Sequence, residues 1–223
     1  MLFPQRDESR SLSRFPIALV LIIAANVMVF LIELALGDSF ILRYSMKPAE
    51  IARGEHLETL FTSMFMHANF LHIFGNMLYL WVFGDELEAN YLGPIRFILF
   101  YFICGLAAGF LQIAVSPSST VPNLGASGAI AGVLGGFQIV FPRDRILVYI
   151  FPFWHARITS FVLIGFWFIS QLISGVGSIS STAQSGVAYF AHIGGFIAGL
   201  VLIKLFGAGR RPEGGQDDLQ LGG

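Results

Sequence analysis

"NLGASGAIAGVLGG", residues 123–136, lies in one of the most apolar parts of the chain and carries one hydroxyl, Ser127, between Gly125 and Gly128. From Ser127 to Phe141 a helix would reach only ~22 Å at 1.5 Å per residue, short of the ~30 Å of a bilayer core. The preceding stretch "SPSSTVPN" (116–123) has two prolines and several turn formers, so it cannot continue a helix upward. Non-helical backbone at membrane depth is tolerated only where protein buries it or where it lines a wet cavity. The stretch is therefore expected to open a truncated helix below the membrane surface, with Ser127 in its first turn. The bland alternative is a serine that bonds back to its own helix.

Composition sets the frame. Of 223 residues 55% are hydrophobic and only 12% charged, against ~25% charged in a soluble domain. Net charge −1 argues against a nucleic-acid partner. The single cysteine, Cys104, excludes an internal disulfide framework. Six apolar spans are expected, at 15–36, 62–84, 95–115, 127–141, 157–174 and 187–207. The fold class is thus all-α: a polytopic membrane bundle of six helices over 15–207, with a short N-terminus (1–14) and a disordered tail (208–223). The first span is too long for a signal-peptide core of ~7–15 residues.

Lys and Arg divide unevenly around these spans. With the N-terminus inside, Arg6, Arg10, Arg14, Arg96, Arg143, Arg145, Arg157, Lys204, Arg210 and Arg211 fall on the inner side, and only Arg43, Lys47 and Arg53 on the outer. That supports cytoplasmic N- and C-termini. Short termini without a transit segment suggest a bacterial inner membrane. The long connection 38–61 reads as a partly amphipathic segment at the interface.

Spans two, four and six run in the same direction, and their inner ends give a common ruler. His72 stands ~20 Å above Asp85, Ser127 ~22 Å above Pro142, and His192 ~18–27 Å above the Lys204–Arg210 region. A serine and two histidines thus share a level where polar groups are expensive and should face the bundle interior. Gly128, Gly132 and Gly136 on span four, and Ala191, Gly195 and Gly199 on span six, repeat at four-residue spacing and would let the two helices approach closely. His192 shares a face with Gly195 and Gly199, so its imidazole is expected within reach of Ser127.

On span two, "HANFLHIFGN" (67–76) puts His72 and Asn76 on one face, where two donors converge on one oxygen. The N–H of Ser127 adds a third. His67, read as part of the same helix, would face elsewhere, which argues against a metal pair with His72. No carboxylate falls at the level of Ser127, so a Ser-His dyad is expected rather than a Ser-His-Asp triad. Glu33 is expected to snorkel, and Trp81, Trp154 and Trp167 to serve as packing or interfacial anchors.

"GASG" opening a short helix, "HANFLHIFGN" and "AHIGGFIAG" together resemble the rhomboid intramembrane serine proteases, over about residues 15–207. The resemblance implies Ser127 as nucleophile, His192 as general base, and His72 and Asn76 as the oxyanion hole. It also implies His67 as an organiser of the first outer loop and Glu88 with Gly93 as a structural element at the inner end of span two. Gly125, Gly128, Gly195 and Gly199 act in support. The implied activity is cleavage of transmembrane segments of other membrane proteins, with no cofactor or metal. Substrate would enter from the lipid beside span five, under a mobile cap at 175–186. The chain departs from members of the family in three places: it lacks the Trp-Arg pair that some bacterial members have in the first outer loop, it has Ala131 where some carry an aromatic stacked under the histidine, and its Glu88 and Gly93 are one residue further apart than is usual. Three other readings are weighed against this one: a catalytically dead relative that escorts membrane clients, a channel or transporter, and haem or metal binding by His67, His72 and His192.

Overall fold

The chain's apolar runs fold as helices because an unpaired backbone amide is costly in lipid and a helix satisfies its own. The computed structural model describes residues 2–7, 12–150, 154–180 and 188–209. Helix α1 is Ile17–Leu36, followed by three short helices, α2 (Asp38–Tyr44), α3 (Pro48–Ala52) and α4 (Thr59–Thr62). The longer helices α5 (Phe70–Leu87), α6 (Pro94–Val115), α7 (Ser127–Val140), α8 (Ser160–Ser180) and α9 (Tyr189–Phe206) complete the bundle. Among the described residues α1, α6, α8 and α9 are long and apolar enough to cross a membrane, and α7 is a shorter apolar helix. The expected truncation is thus present, and α7 begins at Ser127.

The core fills the space between α1, α5, α6, α7 and α9. Phe83, Phe97, Phe100, Tyr101 and Phe137 are fully buried there. The tightest approach is α7 against α9. A Cβ on Gly195 would be driven into the Gly128 carbonyl, and one on Gly199 into the Gly132 carbonyl. The other side of α7 rests on α6, where Gly128 meets Ala108 and Gly132 meets Cys104. The α9 stripe clears side chains from the α7–α9 seam as its spacing suggests, whereas the stripe of Gly128, Gly132 and Gly136 is turned chiefly toward Ala108, Cys104 and Phe100 of α6, and it is Gly135 that faces the α9 backbone at Phe196.

An all-helical chain was expected, and the described residues add a sheet. Strands β1 (Leu2–Asp7), β2 (Arg145–Ile150) and β3 (Trp154–Thr159) form an antiparallel sheet in the order β1-β2-β3. The physical reason is a period of two: Ile146 and Val148 are buried in the core while Arg145 and Tyr149 are exposed. The start expected for span five at 157 therefore belongs to β3, and α8 starts at Ser160, whose N–H donates to Asp144 O at 2.8 Å.

Other boundaries shift as well. The second long helix starts at Phe70, not at 62, because Asn69 caps it by accepting the His72 N–H at 2.9 Å. Helix α8 runs to Ser180, so residues 175–180 of the expected cap are helical. A Cβ on Gly175 would lie 3.4 Å from Ile193 and Tyr189 of α9. The rest of that cap, and the tail from 210, lie outside the described residues. Between Glu88 and Gly93 the chain makes a π-helical turn, Glu88–Leu92, closed by Gly93 N–H on Glu88 O at 2.8 Å. The Glu88 carboxylate accepts the Ala18 and Leu19 N–H groups at 3.0 and 2.7 Å. It thereby satisfies orphan donors at the start of α1 and complements its dipole.

Candidate active site

Ser127 is the first residue of α7, so its N–H has no acceptor within its own helix. The non-helical backbone before it is satisfied by protein. Gly125 N–H donates to Ser63 O at 2.9 Å, and Asn123 exchanges two hydrogen bonds with Met46, at 3.0 and 2.7 Å. Met46 and Ser63 thus brace the loop that presents the serine.

His192 is the fourth residue of α9. Its Nε2 stands 2.8 Å from Ser127 Oγ, and its Nδ1 2.8 Å from Gln171 Oε1 on α8. The glycine seam sets the first distance. Gly128 and Gly195 adjoin Ser127 and His192, and at the seam no side chain separates the backbones.

His72 and Asn76 line the same cleft as Ser127 and His192. The Ala68 N–H points to His72 Nδ1 at 3.4 Å, which leaves the ring proton on Nε2. That nitrogen faces Gly125: a Cβ there would lie 2.9 Å from it and 3.5 Å from Asn76 Nδ2. With φ at +122°, Gly125 also holds a backbone conformation that L side chains rarely adopt.

His67 lies outside helix α5, in the turn before it, so the expected helical angle to His72 does not apply. The two rings are 5.1 Å apart, edge to face. His67 Nδ1 donates to Phe65 O at 3.2 Å, and Nε2 accepts from Asn76 Nδ2 at 3.0 Å. One amide hydrogen of Asn76 is thereby held on His67, and the other remains for the cleft. Glu33 does not snorkel. It is buried, and its carboxylate accepts the His67 N–H at 3.0 and 3.2 Å. Asn26, Phe30 and Glu33 lie on one face of α1, at i, i+4 and i+7, and all are buried.

The cleft has a volume of about 270 Å³, with Leu71 and Tyr79 of α5 on one side and Trp167 of α8 on the other. Trp167, expected as a packing residue, stands with its ring centre 6.0 Å from that of His192. Among the described residues no group of three or more His, Cys, Asp or Glu stands where it could hold a metal ion.

A family model, the Rhomboid domain, matches residues 54–209. The chain belongs to the rhomboid family. It is 33% identical over 143 residues to "Rhomboid protein 1, mitochondrial" of Saccharomyces cerevisiae, covering 62% of this chain and 39% of that one. It is 29% identical over 189 residues to "RHOMBOID-like protein 12, mitochondrial" of Arabidopsis thaliana, covering 77% and 55%. To "Rhomboid protease GluP" of Bacillus subtilis it is 31% identical over 157 residues, covering 70% and 27%. This rhomboid chain is an integral membrane protein and spans only about a quarter to a half of the length of these relatives.

Two residues of the site escaped the sequence reading. Gln171 is an amide inside an apolar span, and the depth argument used for serine and histidine would have flagged it. Glu33 carried the same signal, its burial being written in the i, i+4, i+7 face with Asn26 and Phe30.

Proposed function

We propose that the chain is an intramembrane serine endopeptidase that cleaves transmembrane segments of other membrane proteins, with Ser127 as nucleophile and His192 as general base. The observation that carries this reading is the 2.8 Å contact between Ser127 Oγ and His192 Nε2 beside an open cleft. The bundle of six membrane helices over 15–207 presents this dyad toward the outer side. The Lys and Arg distribution supports cytoplasmic termini, and a bacterial inner membrane remains part of the proposal. The relatives quoted above are named as mitochondrial in two cases and come from a bacterium in the third.

A substrate segment enters from the lipid between α5 and α8 and unwinds locally, because a helical backbone shields its carbonyl carbons. Ser127 Oγ attacks the exposed carbonyl as its proton passes to His192 Nε2. The oxygen of the tetrahedral intermediate accepts from His72 Nε2–H, Asn76 Nδ2–H and the Ser127 N–H, donors already oriented before substrate arrives. The C–N bond breaks as His192 returns the proton to the leaving amine. Water, deprotonated by the same imidazole, then releases the acyl group.

The test is to incubate purified protein with a model transmembrane substrate and follow the fragments. Cleavage by the native chain, abolished in Ser127→Ala, is the expected result. A folded native chain that cuts nothing and reacts with no fluorophosphonate would favour the escort reading. Cleavage that survives Ser127→Ala would place the nucleophile elsewhere.

A further inference from the structure

Ala131, four residues after Ser127 on α7, offers only a methyl group and no polar partner to the imidazole. His192 is held instead from the neighbouring helix, by a chain of hydrogen bonds with one direction. Ser170 Oγ donates to Trp167 O at 2.6 Å, which uses its proton. Its oxygen then accepts from Gln171 Nε2 at 3.2 Å. The amide is thereby oriented, its NH2 toward Ser170 and its oxygen toward His192 Nδ1 at 2.8 Å. An amide oxygen only accepts, so Nδ1 carries the imidazole proton and Nε2 offers its lone pair to Ser127. The other neutral tautomer would present an N–H to the serine and could not take its proton.

We propose that Gln171 is a positioning residue that fixes the tautomer and ring plane of His192. This role rests on the protease reading above. It is the part an aspartate plays in a Ser-His-Asp triad, filled here by a neutral group. Helix α8 is the least buried of the four long apolar helices, at 22% against 33% for each of the others. A carboxylate on it would need shelter that the lipid does not give. Trp167, one turn earlier on α8, stands beside the same imidazole and limits its swing.

The experiment compares the native chain with Gln171→Leu, Gln171→Asn and Gln171→Glu. Readouts are cleavage kinetics, the rate of fluorophosphonate capture at Ser127, and the ring ¹⁵N shifts of His192. Gln171→Leu is expected to lose about 10- to 100-fold in kcat and capture rate, less than outright removal of a base, with KM changed by less than about twofold. Its ¹⁵N shifts should move from a pure Nδ1–H signature toward a tautomer mixture. Gln171→Asn keeps the polarity but is one methylene too short, so it should behave like the leucine variant and serves if that one misfolds. Gln171→Glu offers a pure acceptor only while ionised, so its rate should stay low near neutral pH and recover as the pH is raised. A native Nδ1–H signature and native kcat in both Gln171→Leu and Gln171→Asn would overturn the proposal, as would a loss confined to KM. A native chain that neither reacts nor cleaves would instead remove the protease reading. The tautomer shifts, which need no turnover, would still decide what Gln171 does to the ring.

Discussion

Helices α7 and α9 meet backbone to backbone, whereas α8 leans on α9 through side chains such as Phe168 stacked on Phe196 at 4.2 Å. Glycines mark the contrast. Gly195 and Gly199 have another helix's carbonyl where a Cβ would go, while Gly165 of α8 has nothing within 4 Å. The rigid seam carries the serine and the histidine, which must stay within hydrogen-bond reach. The looser helix carries a wall of the cleft and the glutamine that orients the histidine. Precision and access are thus assigned to different helices of one site.

The sharpest way to break that contrast is to push the seam apart. Gly195→Leu or Gly199→Leu should cost at least about 3 kcal/mol, read as a large drop in unfolding midpoint in detergent, with all cleavage lost. Retained stability in either variant would mean that the backbones need not touch. Next, Glu88→Ala strips the carboxylate from two buried N–H groups at the start of α1 and should cost about 2 kcal/mol. This probes a second rigid joint, away from the dyad. Gly125→Ala forces a side chain into positive φ and against His72. It should cost about 1–2 kcal/mol, with cleavage falling by more than the stability loss explains. The smallest effect is expected on the loose side. Gly165→Ala in α8 should raise stability by up to about 1 kcal/mol, the opposite sign to any substitution in the seam.

Much of this site was legible because membrane burial makes every polar residue informative. Ser127, His72 and His192 were placed at one depth by counting residues along apolar spans, and the structure brings them around one cleft. The truncated helix followed from length against bilayer thickness. The sheet was legible only in part: β3 alternates His155, Arg157 and Thr159 with apolar residues, but β2 (RILVYI) is apolar at nearly every position and runs on toward the apolar span that follows, so the pair reads as part of one helical run. His67 was misplaced by extending a helix through Asn69, whose capping role marks the true start. The site role of Gln171 was not legible because a lone amide in an apolar span carries no reactive group of its own, and that role lies in the imidazole it faces. The π-helical turn at Glu88–Leu92 could not be read from the sequence, because nothing in its apolar pattern marks a change from α-helical bonding.

The central claim is that Ser127 is activated by His192 and by nothing else. It is tested most directly by mapping a fluorophosphonate adduct by mass spectrometry in the native chain and in His192→Ala. The account predicts a single adduct on Ser127 in the native chain and a capture rate lower by about 100-fold or more in the variant. An adduct on another residue, or one that forms on Ser127 just as fast without His192, would contradict it.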